Sequence, residues 1–369
     1  MRKLLIIMSA LDVGGAQRFC LNICKYFNSE KYEYNVLFLR KGKSEDLRRE
    51  FIENNVAFLE LNCKSVIRSI PKIIRYVNDT KPGVILSTVG NVDFAVSIAK
   101  LFIPKSRLFI RKANVVFDNQ KSVTNRLKLR LEAKVCDKLI ALTKDMKQDY
   151  LQYGFKADNV VVINNMVDLD YIESRCKECG IEHQWFDKRK YKLIVANARM
   201  VPEKRYDVLI SAFKMVSEKI PEARLMILGD GPLRKQIEGS VPCELMDKVE
   251  FLGFQNNPYY YMCRASAFSL TSDYEGFPNV VIEALACGLP VIATDCKTGP
   301  KEIIENAVDG WVVNRGDSKA VAIGLENVLT KTTDEWNKLS ANAKRKAQLY
   351  RRDVIAEQYV KLINANMEN

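Results

Sequence analysis

The chain has 369 residues, a formal net charge of +12, 47% hydrophobic residues and 28% charged residues. This length exceeds that of most single compact domains and favours two, while the composition excludes disordered, collagen-like and coiled-coil chains. No apolar run reaches the roughly 20 residues that a membrane-spanning helix needs. The first apolar run, at residues 4–8, is also too short for a signal peptide. We therefore expect a cytoplasmic protein.

The positive charge is concentrated in the first half of the chain. Residues 1–170 have a net charge of +11, whereas residues 171–369 have a net charge of +1. Ten cations but only three acids lie between residues 101 and 140. This excess predicts an anionic partner, which can be a phosphate-bearing substrate, an acidic membrane surface or a nucleic acid. The sequence has no RRM, KH or helix-turn-helix pattern, so we expect no nucleic acid.

Short apolar runs alternate with amphipathic segments of helical period along the chain. The first series predicts strands at 4–8, 34–39, 84–86, 108–110, 139–142 and 160–163, and helices at 16–27, 44–54, 67–80, 92–101 and 125–134. The second series predicts strands at 193–198, 224–228, 249–252, 268–270, 290–293 and 311–313, with helices between them and a helical tail from 317. Alternating strands and helices form parallel sheets covered on both faces. We therefore predict an α/β fold of two Rossmann-like, doubly wound domains.

A polar, charge-rich segment interrupts the alternation between the two series. We predict an N-terminal domain at 1–170, an interdomain linker at 171–190, a C-terminal domain at 191–350, and a terminal helix and tail at 351–369. Ligands of doubly wound domains bind beyond the carboxyl ends of the strands. Two such domains in one chain predict a cleft between them.

The cysteines are predicted to be reduced, and no metal site is expected. Most of the ten cysteines lie within apolar periodic segments, where a thiol behaves as a small hydrophobic group. Cys176 and Cys179 have the spacing of metal ligands, and His183 lies near them. A zinc site would need a second pair of ligands, and the neighbouring sequence offers none.

Three strand ends carry candidate ligand-binding residues. Gly14 and Gly15 follow the first predicted strand and open a helix, which suits a phosphate but also an ordinary strand–helix turn. Arg199 and Lys204 follow the first strand of the second series, where they can bind a diphosphate or be solvated loop cations. Gly229 begins a turn after the next strand, on the same side of the predicted sheet.

The strongest motif has two glutamates eight residues apart. Glu275 precedes a predicted helix that Pro278 opens and Gly288 ends. Glu283 lies inside this apolar helix, where an unpaired carboxylate would be costly. Two carboxylates in this arrangement can contact two parts of one polyhydroxylated ligand. The free backbone N–H groups near Asn279 can meet an anion.

Five motifs of this chain resemble, in the same order, a known set of motifs. They are Gly14–Gly15, Arg199 with Lys204, Gly229-Asp-Gly231, Glu275 with Glu283, and the run 296–302 (CKTGPKE). The resemblance is to retaining glycosyltransferases of the GT-B fold, in the family called glycosyltransferase group 1 or family 4. It covers essentially the whole chain and is most specific in the C-terminal third. It implies two Rossmann-like domains that face each other across a cleft, and a C-terminal helix that crosses back to the first domain.

The resemblance also implies roles for individual residues. Glu283 would bind the ribose of a nucleotide-sugar donor, and Arg199 and Lys204 its diphosphate. Glu275 would face the hydroxyls of the donor sugar, and Gly14–Gly15 would close over the phosphates from the opposite domain. The expected catalytic residues are Glu275, Arg199 and Lys204. The remaining expected donor contacts are Gly229, Phe277, Asn279 and Val280.

The acceptor side departs from the family pattern. Many members carry a histidine in the N-terminal domain near the acceptor, but the only histidine of this chain, His183, lies in the predicted linker. The corresponding stretch is Arg111-Lys-Ala-Asn114, so Arg111 and Asn114 are the expected acceptor-side residues. Gln17 stands where an acidic residue often follows the two glycines.

Retention of configuration is compatible with two mechanisms. A carboxylate nucleophile would form a covalent intermediate. The resemblance favours a front-face reaction instead, in which the leaving diphosphate helps to deprotonate the acceptor hydroxyl and Arg199 and Lys204 stabilise its charge. This mechanism requires neither a metal nor another cofactor.

The expected function is transfer of a hexose or N-acetylhexosamine from a UDP-sugar to a glycan acceptor. The basic first domain and the resemblance favour a polyprenyl-diphosphate-linked acceptor in bacterial surface polysaccharide assembly. They also favour attachment to the anionic inner face of the cell membrane. The alternatives are a non-catalytic GT-B partner subunit and a nucleotide-sugar epimerase.

Overall fold

A computed structural model describes residues 4–12, 14–30, 32–113, 123–178 and 182–367. The chain forms two compact units. Unit 1 comprises Met1–Met166 and Arg352–Asn369, and unit 2 comprises Val167–Arg351. Each unit is built around one sheet, so the predicted α/β class with two Rossmann-like domains is confirmed.

Unit 1 contains a seven-stranded sheet of order β3-β2-β1-β4-β5-β6-β7, in which every pairing is parallel. Its strands are β1 (Leu4–Met8), β2 (Tyr34–Phe38), β3 (Phe58–Glu60), β4 (Val84–Ser87), β5 (Arg107–Lys112), β6 (Lys138–Ala141) and β7 (Val160–Val162). Its first six helices are α1 (Gly15–Ser29), α2 (Glu45–Glu53), α3 (Ile70–Thr80), α4 (Gly90–Lys100), α5 (Val123–Val135) and α6 (Lys144–Leu151). The five residues of β1 are all buried, as expected for a central strand covered on both faces.

Unit 2 contains a six-stranded parallel sheet of order β10-β9-β8-β11-β12-β13. Its helices are α7 (Leu169–Cys176), α8 (Tyr206–Lys219), α9 (Arg234–Gly239), α10 (Pro258–Met262), α11 (Asn279–Ala286), α12 (Pro300–Ile303), α13 (Ser318–Leu329) and α14 (Thr333–Gln348). Its strands are β8 (Lys192–Asn197), β9 (Ala223–Leu228), β10 (Val249–Gly253), β11 (Ala267–Leu270), β12 (Val291–Thr294) and β13 (Gly310–Val313). All six of these strands were predicted from short apolar runs. The four central strands, β9, β8, β11 and β12, are mostly buried, as expected where helices cover both faces of a sheet.

The last helix, α15 (Arg352–Ala365), belongs to unit 1 although it follows the whole of unit 2 in the chain. It packs against α1, and the ring of Tyr359 lies 5.3 Å from that of Phe19. Tyr359 is completely buried. The expected return of the C-terminal helix to the first domain is therefore confirmed. No helix in the described ranges has the length and apolar character needed to cross a membrane.

Three local features differ from the sequence-based expectations. The segment predicted as a linker at 171–190 begins with part of α7, and α7 packs against α10 and α11 of unit 2. Strand β3 was not predicted, because it has only three residues, lies at the sheet edge and is not fully buried. Helix α6 was also missed, because most of its eight residues are polar.

We expect replacement of Tyr359 by alanine to destabilise unit 1 by about 3 kcal/mol or more, because it leaves a large cavity between α15 and α1. Urea unfolding followed by circular dichroism measures this loss. Tryptophan fluorescence should change less, since all three tryptophans lie in unit 2. The control Val354→Ala removes a side chain on the same helix that is 41% exposed. A similar shift in both variants would contradict the assigned packing role.

Candidate functional site

The candidate site in unit 2 is built from loops at the carboxyl ends of adjacent parallel strands. Strands β9, β8, β11 and β12 are neighbours in the sheet, so the loops that follow them leave at the same edge. These loops contain most of the predicted donor residues. The sheet therefore brings together groups that are far apart in sequence.

A pocket of about 510 Å³ lies at this edge, beside the ends of β8 and β9. Its lining consists of Asn197, Ala198, Arg199, Gly229, Asp230, Gly231 and Phe254. Arg199 is exposed, and within the described ranges its guanidinium forms no ion pair or hydrogen bond. Phe254 is 68% exposed. The pocket thus offers an available cation and an aromatic surface to a ligand.

Two glycines allow the pocket loops to approach each other. Gly229 has φ of +111°, and a Cβ atom there would lie 2.2 Å from the carbonyl oxygen of Ala198. At Gly231 a Cβ atom would lie 2.4 Å from the carbonyl oxygen of Met200. Both distances are too short for non-bonded atoms. Any other residue would force apart the loops that follow β8 and β9.

Lys204 and Glu275 form a largely buried ion pair that was not predicted. Lys204 Nζ lies 2.6 Å from Glu275 Oε1, and the two side chains are only 18% and 12% exposed. Ser272 Oγ donates a second hydrogen bond, 2.7 Å long, to the same carboxylate oxygen. Burial, followed by the Glu275 carboxylate, raises the pKa of the Cys296 thiol to about 12. The pair places one cation and one anion in the loops that follow β8 and β11.

A second ionic network holds the same two loops together. Arg205 Nη1 donates to both carboxylate oxygens of Asp273, at 3.2 and 3.3 Å, and Asp273 N donates to Glu203 O at 2.8 Å. Arg205 also binds Asp207, and its guanidinium lowers the pKa of that carboxyl. Arg315 Nη1 donates to the carbonyl oxygen of Asp273 at 3.2 Å. These contacts were not predicted, because no sequence pattern links a loop cation to a particular distant carboxylate.

Helix α11 carries the remaining predicted donor residues of unit 2. Its first residues are Asn279 and Val280, both half-buried, and no side chain caps the helix at Pro278. Glu283 lies on the helix and is half-buried. The ring of Phe277 is buried, with its centroid 6.1 Å from that of Tyr350. The side chain of Phe277 is therefore mostly packed within unit 2.

In unit 1, Gly14 and Gly15 lie where the sequence analysis expected them, at the start of α1 and beyond the carboxyl end of β1. Gly14 caps the helix, Gly15 is its first residue, and both are exposed. Gln17 is buried, and its Nε2 atom donates a 2.9 Å hydrogen bond to the carbonyl oxygen of Ala10. This contact stabilises the loop that leads into α1. The exposed start of a 15-residue helix is compatible with a phosphate contact.

The predicted acceptor role of Arg111 is corrected by its position. Its side chain is 1% exposed, and the guanidinium carbon lies 3.9 Å from the centre of the Phe19 ring. The guanidinium also contacts the side-chain oxygen of Asn165. Burial lowers the pKa of Arg111. Arg111 is therefore a core residue of unit 1 that an acceptor cannot reach, and Asn114 lies outside the described residues.

Not all of the ten cations counted between residues 101 and 140 lie on the surface. Arg111 and Lys112 are both buried. Lys112 Nζ lies 2.8 Å from Asp93 Oδ2 and 2.7 Å from Glu132 Oε2. Burial alone would lower the pKa of Lys112, but these two carboxylates outweigh it and raise the pKa. Lys112 thus neutralises two carboxylates in the core, and Arg111 packs within the core.

Helix α5 has an exposed face of mixed apolar and basic character. Val123 is 73% exposed and Leu127 is 59% exposed. Arg126, Arg130 and Lys134 are also exposed. These five residues recur at intervals of three or four, which places them along one side of the helix. By contrast, Lys128 of the same helix is half-buried, with its ammonium 5.4 Å from the centre of the Phe94 ring.

The residues with metal-ligand spacing make other contacts. His183 Nε2 lies 2.9 Å from Glu250 Oε2. Cys176 Sγ lies 3.7 Å from Cys287 Sγ, and Cys179 is outside the described residues. Across the described parts of the chain, no three histidine, cysteine, aspartate or glutamate side chains are grouped so that they could hold a metal ion.

Known proteins resemble this chain over most of its length. An N-acetylgalactosaminyltransferase of Campylobacter jejuni, named for a diphospho-undecaprenol-linked substrate, is 26% identical and covers 98% of this chain and 100% of its own. The amylovoran biosynthesis glycosyltransferase AmsD of Erwinia amylovora is 27% identical, covering 89% of this chain and 90% of its own. The crystal structure of Anabaena Alr3699/HepE in complex with UDP has a TM-score of 0.84 at 20% identity, covering 99% of this chain and 100% of its own.

Two family models match consecutive parts of the sequence. Residues 13–171 match the model described as Glycosyltransferase Family 4. Residues 171–346 match the model described as Glycosyl transferases group 1. The matches leave only short terminal segments uncovered, and the structural likeness extends over both units. This chain is therefore an enzyme of the group 1, family 4 glycosyltransferases, with the GT-B fold that its motifs indicated.

Proposed function

We propose that this glycosyltransferase transfers a hexose or N-acetylhexosamine from a UDP-sugar to a glycan acceptor linked to a polyprenyl diphosphate. The main support is the strand-end pocket of unit 2, where the guanidinium of Arg199 is available beside the exposed ring of Phe254. A uracil base suits an aromatic and backbone-lined pocket, and a diphosphate suits a guanidinium. The HepE structures with UDP and with UDP-glucose favour a UDP-linked donor.

The acceptor proposal has separate support. The Campylobacter relative is named for a diphospho-undecaprenol-linked substrate, and the Erwinia relative for the biosynthesis of amylovoran. A lipid-linked acceptor would bring the enzyme to a membrane surface. The net charge of +12 is compatible with an acceptor that carries phosphates and with an anionic leaflet. We therefore place the proposed reaction in the assembly of a surface polysaccharide or related glycan.

In the proposed donor complex, Arg199 and Lys204 bind the diphosphate and Glu283 binds the ribose. Glu275 contacts hydroxyls of the donor sugar. Lys204 is held by Glu275 before a donor binds, so a diphosphate can recruit a cation that is already ordered. This arrangement lowers the cost of organising the charge that the transition state needs.

We propose that the reaction retains configuration by the front-face route. Charge grows on the diphosphate as the glycosidic bond breaks, and Arg199 and Lys204 stabilise that charge. The leaving diphosphate then accepts the proton of the acceptor hydroxyl. The oxygen Glu275 Oε1 already accepts hydrogen bonds from Lys204 and Ser272. These bonds make the carboxylate a weaker nucleophile, which favours the front-face route over a covalent intermediate.

A donor panel tests the activity directly. The purified enzyme is incubated with radiolabelled UDP-hexoses and UDP-N-acetylhexosamines, with and without polyprenyl-diphosphate-linked glycans. We expect sugar transfer to the lipid-linked acceptor with the anomeric configuration retained. Conversion of the donor sugar without transfer would indicate an epimerase. Nucleotide binding without any turnover would indicate a non-catalytic partner subunit.

Replacement of Lys204 by alanine should lower kcat by about 10²-fold or more, because it removes a charge that strengthens its contact with the diphosphate in the transition state. The control Lys214→Ala removes a lysine of unit 2 that pairs with Glu244 on the surface. It should retain nearly full activity. Wild-type turnover in Lys204→Ala would disprove the assigned role.

Replacement of Glu283 by glutamine should raise the donor KM by about tenfold, because it removes a charge-assisted hydrogen bond to the ribose. Calorimetric titration with UDP should show the same weakening. The control Glu326→Gln alters a half-buried glutamate of α13 that pairs with Lys219. If Glu283→Gln lowers thermal stability but leaves UDP affinity unchanged, its carboxylate has a structural role instead.

We further propose that the exposed face of α5 attaches the enzyme to anionic lipid. Its two apolar side chains, Val123 and Leu127, can enter the headgroup region while the neighbouring cations meet lipid phosphates. Each cation near an anionic leaflet contributes about 1 kcal/mol. The attraction is screened over about 8 Å at physiological salt. The attachment should therefore weaken as the salt concentration rises.

Reversal of Arg126, Arg130 and Lys134 to glutamate should abolish co-sedimentation with phosphatidylglycerol vesicles at low salt. The control reverses Lys319, Lys338 and Arg345, three exposed cations of unit 2, and changes the net charge equally. It should retain more of the binding. Equal losses in the two triple variants would assign the attraction to net charge rather than to α5. No binding of the wild-type protein would contradict the proposed attachment.

A further inference from the structure

Two buried threonine hydroxyls form hydrogen bonds to the backbone of Lys204 and Glu275. Thr271 Oγ1 lies 3.0 Å from the carbonyl oxygen of Lys204 and 3.1 Å from that of Arg205. Thr298 Oγ1 contacts the carbonyl oxygen of Glu275 and lies 3.2 Å from that of Gly276. Thr271 is 3% exposed and Thr298 is completely buried. One threonine hydroxyl thus bonds to the carbonyl oxygen of each charged residue and to that of the residue after it.

Thr298 occupies an unusual backbone conformation. Its φ is +67°, in the left-handed region, which β-branched residues rarely adopt. Such strain persists only where the surrounding structure compensates for it, and it is concentrated at functional sites. Glycine would adopt this φ without strain. The presence of threonine therefore indicates that its side chain contributes something that glycine would not.

The turn that contains Thr298 packs against both sides of Glu275. Lys297 pairs with Tyr274 as an isolated parallel bridge. At Gly299, a Cβ atom would lie 2.3 Å from Cδ of Pro278, the residue that precedes α11. Between these two contacts, the Thr298 hydroxyl reaches the carbonyl groups of Glu275 and Gly276. The hydroxyl thus fixes the peptide groups from which the Glu275 side chain extends towards Lys204.

We propose that Thr298 is a positioning residue for Glu275, and that Thr271 has the same function for Lys204. This inference rests on the proposed function, in which Glu275 and Lys204 contact the donor. Both threonine hydroxyls bond to backbone carbonyl oxygens of the two loops. Without the Thr298 hydroxyl, the two carbonyl groups lose a donor in a buried site, and their peptide planes rotate to find another. The carboxylate then moves away from Lys204 and from the sugar, and small misplacements of reacting groups lower rates strongly.

Three substitutions at Thr298 separate the hydroxyl from the strain. Thr298→Ser keeps the hydroxyl, Thr298→Val keeps the shape without it, and Thr298→Gly removes both the hydroxyl and the strain. We expect kcat within about twofold of wild type for serine, and a decrease of about tenfold or more for valine and glycine. UDP affinity should change little, since the nucleoside pocket is lined by other residues.

The glycine variant distinguishes positioning from general stability. Because glycine adopts a positive φ readily, Thr298→Gly should be at least as stable to heat as Thr298→Val. A low kcat in a stable glycine variant, restored in the serine variant, supports positioning. Full kcat in the valine and glycine variants would overturn the inference, as would a serine variant as slow as valine. The control Thr330→Val removes a similar hydroxyl, which bonds the carbonyl oxygen of Glu326 at the end of α13, and should leave kcat unchanged.

Amide hydrogen exchange tests the inference without any activity. Peptides that cover residues 271–280 should exchange faster in Thr298→Val and Thr298→Gly than in wild type, and at the wild-type rate in Thr298→Ser. If no donor is turned over by the wild-type enzyme, the proposed function fails, but this exchange pattern would still support the positioning role. Equal exchange in all four proteins would overturn the positioning role, whatever the activity. Thr271→Val and Thr271→Ser should differ in the same way at residues 203–206.

Discussion

A single ion pair, between the ammonium of Lys204 and the carboxylate of Glu275, organises the candidate site. The two residues are 71 positions apart in the chain, and each lies in a loop that follows a different strand of the unit 2 sheet. A largely buried pair of opposite charges is sensitive to geometry, because either partner without the other would be an uncompensated charge in a poorly solvated place. The surrounding hydrogen bonds, from Ser272 to the carboxylate and between the two loops, supply that geometry.

The two cations at this edge of the sheet differ in whether a carboxylate already binds them. Lys204 is satisfied by Glu275, whereas Arg199 remains available at the neighbouring pocket. An anionic ligand therefore meets Arg199, whose guanidinium has no partner among the described residues, and Lys204, which already pairs with Glu275. In the proposed donor complex, exchange of the carboxylate for a diphosphate is a small rearrangement, because the ammonium need only divide its hydrogen bonds differently.

More of the fold than of the candidate site could be predicted from the sequence. Central parallel strands are continuous apolar runs such as Leu4–Met8, so burial on both faces is visible in the composition of the run. The edge strand Phe58–Glu60 was missed, because a short and half-exposed strand has no such signature. Loop residues such as Arg199 and Gly229 were found from their position after predicted strands. Their partners could not be found, because side-chain pairing depends on the packed loops.

Arg111 illustrates the limit of reasoning from residue type. An arginine in a basic segment is usually solvated, and nothing in the run Arg111-Lys-Ala distinguishes a surface cation from a core residue. The structure places the guanidinium over the ring of Phe19, beneath a helix that comes from the far end of the chain. The partners that make its burial tolerable, Asn165 and Phe19, lie 54 positions after it and in the first helix of the chain. Only the tertiary structure brings them together.

Because α15 completes unit 1, the chain leaves that unit after Met166 and returns to it at Arg352. Unit 2 is thus an insertion in the covalent order of unit 1. During synthesis, the second half of the chain can fold as a contiguous segment, whereas the core around Phe19 stays incomplete until Tyr359 has been made. The N-terminal part of unit 1 is then among the last parts of this sequence to be fully packed. A chain truncated before α15 would retain the contiguous unit but leave apolar surface on α1 open to aggregation.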